Sequence, residues 1–253
     1  KTSITGFPRI GEKRELKKAL ENFWSKKSSK EELEKVAKEI RKKSWLYQKS
    51  AGIDLINCND FSLYDSMLDT SVMLSAIPER FEKITDSYER YFAMARGCDD
   101  SFAMEMTKWF DTNYHYIVPE FNKNQKFALT HSKLIDEFRE AIAYGIENPK
   151  PVLIGPVTYL LLGKEQQSGF KRFELIETLL PEYIKIVKEL ESLGCNYIQI
   201  DEPFLVTNLT PAISSVYNYT YCELNKKIKK IKIILATFFG GLEDNLQLAL
   251  NLP

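Results

Sequence analysis

Histidine is almost missing from this 253-residue sequence, with two copies, and cysteine is sparse, with four. Cys58, Cys98, Cys195 and Cys222 stand far apart and form no Cys-x-x-Cys pair. That spacing excludes a zinc ribbon and a disulfide framework, and predicts reduced thiols that act as packing residues in a cytoplasmic protein. Charge of one sign is not in excess either: 35 basic side chains face 35 acidic ones. Without a long-range field the chain is not expected to gather nucleic acid or an anionic membrane surface, so any anion site must be local. No apolar run approaches the roughly 18 to 20 residues that span a bilayer. The opening Lys1-Thr2-Ser3-Ile4-Thr5 does not read as a signal segment. A soluble, cytoplasmic protein with neither nucleic-acid nor membrane partners is expected.

What is present is ordinary globular material, 44% hydrophobic and 28% charged, enough for one large domain over 1–253. Ser29-x-x-Glu32 has capping-box spacing, and Leu33, Val36, Ala37, Ile40 and Tyr47 follow at helical period up to Gly52. Directly afterwards Ile53-Asp54-Leu55-Ile56-Asn57 reads as a buried strand opening into a polar loop. The same grammar recurs where Leu175, Ile176, Leu179, Tyr183, Val187 and Leu190 form a stripe ended by Gly194, before Asn196-Tyr197-Ile198-Gln199-Ile200 and Asp201-Glu202-Pro203. Further strands are expected at Ile4 to Pro8, His115 to Val118, Val152 to Gly155 and Ile231 to Thr237, with a helix at Leu134 to Tyr144.

Strands separated by helices imply parallel pairing. Asn57, Thr158, Asp201, Glu202 and Thr237 at strand ends suit the loop face of a (βα)8 TIM-type barrel. The rival, a doubly wound open sheet, is disfavoured because no Gly-rich phosphate loop follows the first strand. About six barrel strands are legible where closure needs eight, so the barrel is expected to be incomplete at its C-terminal end, with open edges that favour association.

Four stretches together resemble the cobalamin-independent methionine synthases. They are Gly6-Phe7-Pro8-Arg9-Ile10-Gly11 with Arg14-Glu15-Leu16-Lys17-Lys18; Glu105-Met106-Thr107-Lys108-Trp109-Phe110; Asn113-Tyr114-His115-Tyr116 with Val118-Pro119-Glu120-Phe121; and Gln199-Ile200-Asp201-Glu202-Pro203. Gly155-Pro156-Val157-Thr158 also fits, and the likeness runs in order from residue 4 to about residue 240. The resemblance implies the N-terminal barrel of a two-barrel enzyme that moves the methyl group of 5-methyltetrahydropteroyltriglutamate, a folate polyglutamate, to homocysteine. It implies no cobalamin and a zinc ion in the intact enzyme, held by one His, two Cys and one Glu of a C-terminal barrel that is this chain's partner; those ligands do not lie in this stretch. No catalytic residue is assigned here, and the chain alone is expected to be inactive.

The family's folate contacts carry over onto Arg14, Glu15, Leu16, Lys17 and Lys108. On composition alone Arg14, Lys17 and Lys18 are a solvated helix face, and only the resemblance turns them into a candidate site. A helix starting at this segment would hold its cations near the barrel mouth beside anion-attracting N–H groups. Lys108, among bulky apolar neighbours, is expected to be poorly solvated or to snorkel from a helix. His115 is expected to be a hydrogen-bonded structural residue, and His131, before Ser132, a helix-start residue. Tyr221-Cys222 has no second ligand at metal spacing. Asp201 and Glu202 are adjacent on a strand and point to opposite faces, so at most one faces the interior and no acid/base pair follows. Two other readings stay open: a non-catalytic scaffold barrel, and a barrel enzyme like uroporphyrinogen decarboxylase.

Overall fold

The computed structural model describes residues 1–130 and 132–253; the sequence expectation for His131 lies outside the described residues. Two helices open the chain, α1 (Glu15–Trp24) and α2 (Lys30–Ser50). The Ser29 hydroxyl accepts from the Glu32 N–H and the Glu32 carboxylate accepts from the Ser29 N–H, so the capping box starts α2 as the sequence predicts. Then follow β1 (Ile56–Cys58), α3 (Ser66–Met73), α4 (Ser87–Arg96), β2 (Met106–Lys108), β3 (His115–Ile117) and β4 (Glu120–Phe121). The second half alternates: α5 (Lys133–Ala143), β5 (Pro149–Ile154), α6 (Pro156–Leu161), β6 (Lys164–Glu165), α7 (Ile176–Ser192), β7 (Tyr197–Asp201), α8 (Pro211–Lys227), β8 (Lys232–Ala236) and α9 (Leu246–Asn251).

The main sheet has the order β1-β5-β7-β8 and is parallel throughout. A parallel bridge between Ser3 and Leu55 brings the N-terminal segment alongside β1. Helices α5, α7 and α8 cover the outside, and the stripe read from the sequence, Ile176, Leu179, Tyr183, Val187 and Leu190, is buried in the principal core. This is the α/β arrangement of a TIM-barrel-type domain, with parallel strands inside and helices outside. Buried Trp45 on α2 donates its indole N–H to Asn57 O at 2.9 Å and so locks α2 onto β1.

Three strand expectations need correction. Ile4 to Pro8 is not a strand. Pro8 has no N–H to give a ladder, and the segment's polar groups are taken by side chains. Lys150 Nζ donates to Ile4 O at 2.8 Å, Gln199 Nε2 donates to Thr5 O at 2.9 Å, and Phe7 N–H donates to Asp60 Oδ2 at 3.1 Å. The strand expected from Ile53 begins only at Ile56, because Gly52 turns the chain at φ 78° and the ladder is joined after Leu55. The strand over His115 to Val118 exists, but it pairs antiparallel with β2 and not with the parallel sheet. Asp65 anchors this hairpin to α3, accepting from Leu68 N–H and Ile117 N–H at 3.0 Å each.

The cysteine expectation holds for half the residues: Cys58 and Cys195 are buried, whereas Cys98 and Cys222 are exposed. Helical period explains Cys222, which follows buried Tyr221 and falls on the outer face of α8. Cys98 sits in the turn after α4, where its N–H donates to Ser101 O at 2.8 Å.

Candidate functional site

Apart from Lys108 and His115 on the β2–β3 hairpin, the residues singled out from the sequence fall on two surfaces. The first is the start of α1. Arg14 is its N-cap residue, in the left-handed region at φ 60°, ψ 38°, a conformation that costs a non-glycine residue about 1 kcal/mol or more. Leu16 is fully buried against Leu20, Leu33, Ala37, Ile40, Phe61 and Phe92. Its side chain is the hydrophobic peg that seats α1, and its N–H donates to Ile10 O at 3.2 Å. Glu15 turns back onto the loop, accepting from Lys13 N–H at 2.8 Å, and backbone N–H groups hold its carboxyl below the usual range. Arg14 and Lys17 are exposed, Lys17 lying 3.6 Å from Glu21. The expectation of a free anion-attracting helix start is therefore corrected in part. The chain's own Glu15 and Ile10 O already occupy N–H groups there, leaving the cations Arg14, Lys17 and Lys18 solvated.

Lys108 ends β2, opposite His115 in the hairpin register. It is exposed, as are its strand-mate Met106 and His115. The apolar neighbours do not surround it, because strand alternation sends Met106 and Lys108 out to solvent. Trp109 beyond them is buried. Poor solvation of Lys108, its placement on a helix and a structural hydrogen-bonding role for His115 are corrected accordingly. The five candidate residues sit on two separate elements that pack into different hydrophobic clusters.

The second surface is the carboxyl end of the parallel strands, where Asp201 and Glu202 diverge as strand geometry predicts. Asp201 lies with Gln199 on the inner face: Gln199 Nε2 donates to Asp201 Oδ1 at 2.7 Å. Burial raises the Asp201 carboxyl to about 7, against the pull of Gln199 and Lys150. Lys150, 1% exposed, also gives hydrogen bonds to Ser3 Oγ and Gln199 Oε1, and burial lowers its pKa. These polar groups replace apolar packing inside the sheet and tie the N-terminal segment to β5 and β7.

Glu202 turns the other way, into the helical layer, and is fully buried. Its carboxylate accepts from the N–H groups of Val157 and Thr158 at 3.3 and 2.8 Å, and from the hydroxyls of Tyr217 and Tyr221 at 3.2 and 3.0 Å. Desolvation still raises it to about 7. A Cβ added at Gly155 would lie 2.1 Å from Glu202 Cδ, so the glycine of Gly155-Pro156-Val157-Thr158 is required by the carboxylate of Asp201-Glu202-Pro203. The two motifs are one structural clasp joining β5, α6, β7 and α8. Sequence reasoning missed Tyr217 and Tyr221, although their i,i+4 spacing places both hydroxyls on one helix face.

At the strand ends, Asp201 is joined by three residues to which the sequence analysis gave no role, Asp60, Asp69 and Lys133. Asp60, Asp69, Lys133 and Asp201 line a cavity of about 520 Å³. Lys133 Nζ donates to Asn59 Oδ1 at 2.9 Å and lies 3.3 Å from Asp69 and 3.2 Å from Glu137. The only sequence signals for these groups were isolated charges at helix starts and strand ends. Among the described residues no group of three or more His, Cys, Asp or Glu side chains could hold a metal ion, and no helix is long and apolar enough to cross a membrane. The residues present do not fit a zinc site.

The cobalamin-independent synthase N-terminal domain family matches residues 1–253. The 5-methyltetrahydropteroyltriglutamate–homocysteine methyltransferase of Flavobacterium johnsoniae is 53% identical over 260 aligned positions, covering 100% of this chain and 34% of the relative. Those of Cytophaga hutchinsonii and Desulforamulus reducens are 51% and 46% identical, covering 98% and 100% of this chain and 33% of each relative. The chain thus spans about a third of the length of the curated relatives it matches. Among solved structures, a Listeria monocytogenes chain assigned to vitamin-B12-independent methionine synthase superposes with a TM-score of 0.64 at 16% identity, over 99% of this chain and 72% of that one. The B12-independent methionine synthase of Shewanella sp. W3-18-1 gives 0.56 at 20%, over 83% and 53%. At these identities the superpositions support the fold alone. The family match sets aside the uroporphyrinogen decarboxylase-like reading, and the chain belongs to the cobalamin-independent synthase family, as its N-terminal domain.

Proposed function

We propose that this chain is the N-terminal part of an enzyme that transfers the methyl group of 5-methyltetrahydropteroyltriglutamate to homocysteine, and that its share of the work is to hold the polyglutamate tail and support a C-terminal catalytic barrel. The observation that carries this reading is the 53% identity, across the whole chain, to a relative named for that reaction. In this reading the zinc chemistry and the closing part of the barrel belong to residues outside the chain, and the chain alone makes no methionine. Arg14, Lys17 and Lys108 would meet the tail's carboxylates, while Glu15 and Leu16 fix the loop and helix that present Arg14 and Lys17. Exposed ion pairs contribute about 0 to 1 kcal/mol each, so three of them give only weak, salt-sensitive binding. A cytoplasmic setting accords with the reduced thiols of this reading.

Calorimetry at low salt, with the triglutamate and monoglutamate forms of 5-methyltetrahydrofolate, tests it. The expected result is binding of the triglutamate form only, lost when Arg14, Lys17 and Lys108 are all replaced by Ala. A second reading, a scaffold barrel kept for its interface, is favoured by the self-contained start of α1, where Glu15 caps its own loop and Lys17 pairs with Glu21. Equal behaviour of the two folates, or of the triple variant, would select the scaffold.

A further inference from the structure

The β2–β3 hairpin carries a pair of nitrogen donors that the fold leaves unused. Lys108 of β2 stands directly opposite His115 of β3. Along this ladder Val118 N–H donates to Glu105 O and Trp109 N–H donates to Tyr114 O, each at 2.8 Å. Glu105, Thr107 and Trp109 therefore stand in the hydrogen-bonded pairs of the hairpin, and Lys108 with His115 is a pair with no backbone bond between its members. Pairs of that kind bring their Cα atoms to about 4.5 Å and set both side chains on one face, close enough to meet the same group of a ligand.

That face is covered at one end and open at the other. Ile117, opposite Met106, is buried in a cluster with Leu68, Phe81 and Met94. One pair further along, Lys108 and His115 are exposed. On the other face Trp109 and Tyr116 bring their rings to 4.9 Å within the principal core. The buried residues thus fix the hairpin, and neither Lys108 nor His115 is needed to hold it. Among the described residues neither side chain has a hydrogen bond or an ion pair. The acids of the neighbourhood are committed elsewhere, Glu105 to Lys164 and Glu120 to Arg80, and Asp111 in the turn pairs with neither.

An ammonium beside an imidazole N–H, with no carboxylate of the chain between them, matches a single ligand carboxylate whose two oxygens take one donor each. We infer that His115 is a further tail-binding residue, donating its ring N–H to the same glutamate carboxylate that Lys108 meets. The inference rests on the tail-binding reading, in which Lys108 faces a carboxylate, and deepens it by naming the group that sets that carboxylate's direction. A lysine ammonium is a point charge on a flexible stem. An imidazole on a strand held by buried neighbours has two side-chain torsions and aims its N–H along the ring plane, so it orients what the lysine attracts.

Two measurements with 5-methyltetrahydropteroyltriglutamate at low salt test this: calorimetry, and NMR of the histidine ring signals. The chain has two histidines, so the His115 signal is identified by its loss in His115→Gln. Expected is a shift of that signal on adding the triglutamate to the parent, and none in Lys108→Ala. His115→Ala should weaken binding about three- to tenfold, and His115→Gln, which keeps an N–H donor, should recover part of the loss. In the Lys108→Ala background His115→Ala should cost less than in the parent, because the two residues share one carboxylate. Binding that leaves the His115 signal unmoved, parent-like affinity in folded His115→Ala, or equal losses with and without Lys108 would overturn the inference and leave the tail-binding reading standing. Absence of triglutamate binding to the parent would overturn both. The ring signal of the parent decides the matter if His115→Ala melts early.

Discussion

The carboxyl end of the sheet and the start of α1 carry charge in opposite ways. At the sheet, Lys150, Asp201 and Glu202 are buried; Lys150 and Glu202 are hydrogen-bonded to partners distant in sequence, and Asp201 accepts from Gln199, itself tied to Thr5 O. At α1, Arg14 and Lys17 stand in water, and local contacts set their geometry. The same residue types therefore have different physical consequences. Buried groups hold the fold together and leave large unpaired penalties when one member is lost, whereas exposed groups cost little to remove and are free to meet a ligand. The difference separates residues that build the domain from residues that touch something else.

The largest expected effect breaks the buried side of that contrast. Gly155→Ala places a methyl group where Glu202 already sits, 2.1 Å from its Cδ, at a site with no room to yield. A loss on the order of 3 kcal/mol or more is expected, read from the urea midpoint. Lys150→Met removes the donor to Ser3, Ile4 O and Gln199 while keeping volume. It should cost about 2 to 4 kcal/mol in the same measurement and free the N-terminal segment, seen as faster amide exchange at Leu55, whose N–H donates to Thr2 O.

Glu202→Gln sharpens the comparison through pH. Burial raises the Glu202 carboxyl from the ordinary glutamate value of 4.5 to about 7 in the folded chain. The folded state therefore holds a proton that the unfolded state has released between those values. The associated stability is fully present below about 4.5 and is lost as pH rises through 7. The parent should lose on the order of 2 to 3 kcal/mol from this group between pH 5 and pH 8, and Glu202→Gln should flatten that slope. Smallest is Arg14→Gly. It relieves the left-handed backbone and should raise stability by up to about 1 kcal/mol in thermal melts, while weakening triglutamate binding if the tail-binding reading holds. A matching loss of stability and binding would place Arg14 with the buried group and erase the contrast.

Much of the framework was readable before any coordinates. The capping box of Ser29 and Glu32, the stripe of α7 and the strands expected at Val152 to Gly155, Asn196 to Ile200 and Ile231 to Thr237 followed from local pattern, although the first of these strands begins three residues earlier, at Pro149. The divergence of Asp201 and Glu202 followed from strand alternation. The candidate site was less legible. Lys108 and His115 looked enclosed by aromatic neighbours in the sequence, but exposure depends on which hairpin face meets α3 and the core. Leu16, a contact residue by the resemblance, has its side chain fully buried as the peg of α1, which local pattern did not show. The cavity acids Asp60, Asp69 and Asp201 carry no shared pattern, since they come from three elements that meet only in the folded chain.

By itself, then, the sequence determined the helices α2, α5 and α7, which face of α7 is apolar, that the strands of the main sheet run parallel, and that the chain resembles one synthase family. These are matters of residues a few positions apart, or of whole-chain similarity. Only the tertiary structure decided that Ile4 to Pro8 is held by the side chains of Lys150 and Gln199 and not by a ladder, that Glu202 clasps Gly155 and two tyrosines, and that three carboxylates share a cavity. Those outcomes depend on partners 15 to 194 positions away. Desolvation acts on a group according to what surrounds it in space, and spacing along the chain does not report those surroundings.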